Sequence, residues 1–134
     1  MHHIEFAVSA VERGWTPHDL VLHSSRYNHP FSIAPVSKHE GDLPAEDELL
    51  ALTEGSAVMS AVKLAEDGSG SVILRVYEVD GTDGRVTIRL GFPAKSASFV
   101  DVTEEPAESA VEIENGQLHF TLGANQMRTI RIER

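Results

Sequence analysis

Apolar and polar residues alternate with a period of two in short runs, and Gly, Asp, Asn and Pro separate the runs. This is the pattern of half-buried antiparallel strands. Val86, Ile88, Leu90 and Phe92 point one way while Arg85, Thr87 and Arg89 point the other, giving a strand with one wet face. Val58, Val62 and Leu64 alternate with Met59, Ala61 and Lys63. Val72 to Val79 is apolar on both faces apart from Arg75 and Glu78, which predicts a central strand. Further strands are predicted at Phe99 to Thr103, Ala110 to Glu114, Leu118 to Leu122 and Gln126 to Ile132. The stretches from Glu66 to Gly70 and from Asp80 to Gly84 supply Gly and Asp for turns, and Asn115-Gly116 is a strong hairpin signal. Six or seven strands without helical interludes predict an antiparallel β-sandwich.

The first third differs. Ile4, Phe6 and Val8 alternate as a strand running to Ala10, and Thr16-Pro17-His18-Asp19 then has the form of a helix start, with Thr16 as N-cap and Pro17 in the first turn. That helix is short and stops near Tyr27, because Pro30 disfavours its continuation. Pro35 to Glu48 is polar, with Gly41, Pro44 and five acids. The chain is therefore expected to be mainly β, with a short helix or irregular segment in the first third. Residues 1–36 would end a preceding β region, residues 37–47 form a loop or linker, and residues 48–134 form a C-terminal β-sandwich domain.

Composition narrows the partners. Of 134 residues, 21 are acidic and 11 basic, and the net charge of −10 repels phosphate backbones and anionic lipid surfaces. Neither nucleic acid nor membrane is expected. The absence of cysteine excludes a disulfide framework and a Cys-based zinc site, and together with the lack of an apolar targeting segment it fits a cytoplasmic protein.

No grouping of residues has the form of a catalytic centre. Histidines at 2, 3, 18, 23, 29, 39 and 119 include no pair at the i, i+4 spacing of a helical metal motif, so no metal site is assigned. Glu46 to Glu48, Glu104-Glu105, and Glu112 with Glu114 most simply read as solvated loops and strand faces rather than a glycosidase carboxylate pair. The Asp-Gly turns lack the full ligand series of a calcium loop, and no nucleophile elbow or phosphate-cradling glycine loop occurs. Trp15, with Tyr27 and Tyr77, is a candidate sugar-stacking platform, although core or interface packing is the favoured account, because Trp15 follows a strand and a Gly and Tyr77 lies inside a strongly apolar strand. Trp15 and Tyr77 are the candidate carbohydrate-binding residues.

One resemblance is specific. Ser56-Ala57-Val58-Met59-Ser60-Ala61-Val62-Lys63-Leu64-Ala65-Glu66-Asp67-Gly68, followed by Val72-Ile73-Leu74-Arg75-Val76-Tyr77, resembles the C-terminal β region of family 38 glycoside hydrolases, the α-mannosidases. In that family a strand of the type v-l-S-A-l-K-x-A-E-D-G leads through a tight turn into l-I-L-R-l-Y-N. Ala94 to Ala97, Val100-Asp101-Val102 with Glu104-Glu105, Val111 to Gly116 and Thr129 to Ile132 fit as well. Upstream, His3-Ile4-Glu5-Phe6 with Gly14-Trp15, and Asn28 with Pro30-Phe31, are similar to the family's H-E-F strand and its N-x-P sequel. Ser9 and Ala10 stand where an aromatic and a proline are usual, and Glu78 replaces the asparagine after the tyrosine.

The resemblance implies a non-catalytic C-terminal portion of a retaining, zinc-dependent α-mannosidase. The nucleophile, the acid/base carboxylate and the zinc ligands would lie in an N-terminal catalytic domain, whose His-x-Asp metal motif does not occur here. The portion would pack against that domain, with mannosides as the parent's ligands, and the open edge of the strand from Ile4 to Ala10 would favour self-association. The alternative is a free-standing carbohydrate-binding β-sandwich. A small independent enzyme using Glu112 or Glu114 is the remaining reading.

Overall fold

The computed structural model describes residues 4–10, 12, 14–42 and 44–134. Within Met1–Glu40, the first of two compact units, the helix begins at a reciprocal cap. The Thr16 hydroxyl accepts the Asp19 amide at 3.1 Å, and the Asp19 carboxylate accepts the Thr16 amide at 3.0 Å. Pro17 follows in the first turn, and helix α1 runs from Pro17–Asn28, as the sequence predicts to within a residue. The His29 amide closes its end on the Ser25 carbonyl at 2.8 Å. The helix has no buried residue.

The strand predicted from Ile4 to Ala10 does not form. These residues have no regular secondary structure, and Ile4, Phe6 and Val8 are exposed. Alternation specifies two faces, but a strand exists only where a neighbour completes its hydrogen-bond ladder. His2 and His3 lie outside the described residues.

The second unit, Gly41–Arg134, contains the nine strands found among the described residues. They are β1 (Leu50–Glu54), β2 (Ala57–Leu64), β3 (Val72–Glu78), β4 (Gly84–Leu90), β5 (Ser96–Val100), β6 (Pro106–Ala110), β7 (Glu112–Glu114), β8 (Gln117–Leu122) and β9 (Met127–Glu133). One antiparallel sheet has the order β1-β4-β8-β7 and the other β2-β3-β9-β5-β6. The mainly β, sandwich-like architecture is as expected. The strand predicted at Phe99 to Thr103 lies three residues earlier, the one predicted at Ala110 to Glu114 is divided between β6 and β7, and β1 was not predicted.

Between the sheets, Val86, Ile88 and Leu90 of β4 and Leu118, Phe120 and Leu122 of β8 meet Leu74 and Val76 of β3 and Ile130 and Ile132 of β9. Phe99 and Phe120 span the two sheets edge to face, with centroids 6.0 Å apart and planes at 87°. Strand β3 is central, between β2 and β9, and is buried on both faces: Leu74 and Val76 point into the sandwich, while Ile73 is covered on the outside. The Asn115-Gly116 turn joins β7 to β8 with both residues at positive φ, 51° and 74°, the geometry that suits the twist of a two-residue hairpin.

Candidate functional site

The cover over Ile73 begins with a backbone anomaly. Glu104, in the loop between β5 and β6, has a φ of 71°, a conformation that is uncommon outside glycine. The loop is fixed by Asp101, whose carboxylate accepts the amides of Thr103 and Glu105 and the Thr103 hydroxyl. These bonds, led by that of the Thr103 hydroxyl, hold the Asp101 carboxyl below its ordinary range.

This geometry directs the Glu104 side chain onto the outer face of the β2-β3-β9 sheet. Its carboxylate is nearly buried, 2.7 Å from the Lys63 ammonium, and accepts the Glu66 amide at 2.8 Å. Lys63 also pairs with Glu66. Glu104 is held in its anionic form chiefly by the Lys63 hydrogen bond, and the same bond raises the Lys63 pKa. Beside it, Asp67 in the β2–β3 turn binds the Arg131 guanidinium and accepts the Ser69 amide at 2.9 Å. Arg131, with those bonds, lowers the Asp67 pKa to about 2. Arg75 adds bonds to Thr129 Oγ1 and to the Val102 carbonyl. A turn, a loop and the last strand are thereby tied together over one sheet face.

A second anchor lies at the end of β3. The Glu78 carboxylate is buried and accepts the amides of Asp80 at 2.6 Å, Gly81 at 2.9 Å and Asn125 at 2.8 Å. The Asn125 amide leads the hydrogen bonds that lower its pKa, and the carboxylate joins the β3–β4 turn to the β8–β9 turn. Neither Glu78 nor Glu104 was identifiable from spacing as an anchor. The signals were the place of Glu104 in the resembled pattern and the departure at Glu78 from its asparagine.

The sequence candidates lie elsewhere. Trp15 and Tyr27, both substantially exposed, line a cavity of about 460 Å³ with Phe6, Asp19, Leu20 and His23. Two of the polar groups there are engaged within the helix: Asp19 closes the cap, which lowers its pKa through Thr16, and the Asn28 amide binds the Ser24 carbonyl at 2.8 Å. Tyr77 belongs to the other unit, half-buried on the outer face of β3 in register with Val58 and Met127. Glu112 and Glu114 are exposed, in register with His119 and Gln117. His119 Nδ1 lies 3.2 Å from the Thr87 hydroxyl, which donates to Glu54 at 2.9 Å.

A glycosidase general acid needs a carboxyl pKa pushed upward. Asp19, Asp67, Glu78, Asp101 and Glu104, the carboxylates with displaced pKa values among the described residues, are all displaced downward. Each is an anchor held as an anion. Nor do the residues present fit a zinc ion, since among the described residues no three His, Cys, Asp or Glu side chains converge as ligands.

Residues 56–130, more than half of the chain, match the model of the glycosyl hydrolases family 38 C-terminal beta sandwich domain. The chain belongs to family 38. No curated protein matches it. The matched span of this family 38 domain contains Lys63, Glu66, Asp67, Glu78, Asp101 and Glu104, so the anchoring acids of the sandwich lie within it, while Arg131 follows at its edge. No helix among the described residues is long and apolar enough to cross a membrane.

Proposed function

We propose that this chain is a non-catalytic C-terminal portion of an α-mannosidase whose parent enzyme hydrolyses terminal α-mannosides with retention. Its role is to pack against the parent's catalytic domain and help shape the sugar cleft. The observation that carries this is the family 38 match over residues 56–130. The carboxylate chemistry supports it, because acids committed as anions to amides, Lys63 and Arg131 strengthen a scaffold and are poorly suited to donating a proton. Zinc would be held by the parent's catalytic domain.

The first unit supports a packing role as well. Trp15, Phe31, Ile33 and Val36 are all more than half exposed. Apolar surface of this kind gains free energy only when a further surface covers it. We assign Trp15 to such packing rather than to sugar stacking, since it belongs with these exposed apolar side chains of the same unit.

The test is an assay of the 134-residue chain on an aryl α-mannoside with zinc supplied, beside the same chain extended by its upstream coding region. Turnover is expected only from the extended protein. Turnover by the 134 residues alone would overturn the assignment.

A further inference from the structure

A cleft of about 680 Å³ opens where the β2–β3 turn, the β4–β5 loop and the end of β9 meet, lined by Ser69, Ser71, Phe92, Lys95, Arg131 and Arg134. Three cations converge here in a chain with nearly twice as many acids as bases. Their commitments differ. Arg131 is engaged with Asp67 and with Ser69 Oγ at 2.9 Å. Arg134 uses only Nε, on the Gly70 carbonyl at 3.1 Å. The terminal nitrogens of Arg134 and the ammonium of Lys95 have no side-chain partner among the described residues. The one acidic side chain lining the cleft among the described residues, Glu133, accepts the Ser96 hydroxyl at 2.9 Å and its charge acts on Arg131.

An anion seated in the cleft would accept charge-assisted hydrogen bonds from the Lys95 ammonium and the terminal nitrogens of Arg134, the cations there that no acid among the described residues already pairs. Phe92, half-buried, and Pro93 give the same cleft an apolar wall large enough for a small ring. We propose that the cleft binds the phosphate or carboxylate group of a small organic anion. This does not depend on the mannosidase assignment.

The test is titration of the whole chain, followed by backbone amide shifts, with inorganic phosphate, mannose 6-phosphate, glucuronate and uncharged mannose. Saturable shifts at Ser69 to Ser71, Lys95 and Arg134 are expected with the anions and none with mannose. Tighter binding of the sugar phosphate than of inorganic phosphate would assign the Phe92 wall to the ring, and equal binding would assign recognition to the phosphate alone. Lys95→Ala and Arg134→Ala, both at exposed positions, should each weaken binding about tenfold, the size of one lost charge-assisted hydrogen bond. Lys38→Ala removes the same charge outside the cleft and should leave affinity unchanged. Absence of saturable shifts with every anion, or equal weakening by Lys38→Ala, would overturn the proposal.

Discussion

At the scale of single residues, the space a side chain would enter decides more than the residue type. Gly55, between β1 and β2, has a φ of 95°, and a Cβ there would sit 2.4 Å from the Arg85 carbonyl oxygen. Gly116 also has a positive φ, 74°, yet nothing lies within 4 Å of the place where its Cβ would stand. Gly116→Ala therefore meets only the backbone cost, about 1 kcal/mol. Gly55→Ala meets that cost and a clash with main chain that has no rotamer to escape into, and should lose more than about 2 kcal/mol. Urea unfolding of the two variants checks the order, and equal losses would refute it. The Asn115-Gly116 turn was legible in the sequence because its requirement is local, whereas the tightness at Gly55 comes from a residue thirty positions away.

Among elements, what could be read followed the same division between local and distant causes. The α1 cap was legible because Thr16, Pro17 and Asp19 carry its whole chemistry within four positions. The strands β3, β4 and β8 were legible because each repeats its apolar period several times. β1 has only Leu50 and Leu52 on its inner face, too few to stand out beside an acidic loop, and its place is set by pairing with β4. Ile4 to Val8 shows the converse, a clear period without a paired neighbour. The salt-bridge cover over β3 was legible only as motif residues, since the φ of Glu104 has no sequence signature. Its pH dependence follows from Asp67, whose pKa is lowered from 3.8 to about 2 by Arg131 and the Ser69 bonds. A depressed carboxyl contributes stability above its unfolded pKa and loses that contribution as pH falls through the folded one. The stability difference between the unsubstituted chain and Asp67→Asn should therefore be full at neutral pH and shrink from about pH 4 to pH 2. Unfolding midpoints of both proteins across that range measure it, and a difference that stays constant with pH would exclude the Asp67–Arg131 pair as its source.

For the molecule as a whole, the distribution of burial separates what folds from what needs a partner. Every buried residue among those described lies between Ala57 and Ile132. The core and its anchors at Glu78 and Glu104 are thus complete within Gly41–Arg134. Residues 41–134 alone should melt cooperatively and give dispersed amide resonances. A peptide of residues 1–40 should show little helix in water, because a 12-residue helix is marginal without tertiary packing even when it is well capped. The exposed Trp15, Phe31, Ile33 and Val36 then make the full chain, and not the shorter one, prone to self-associate. Sedimentation of the two proteins at matched concentrations separates the cases. If residues 41–134 were unfolded, the first forty residues would have to supply part of the core. If the full chain stayed monomeric at high concentration, its exposed apolar residues would not form the docking surface assigned to them.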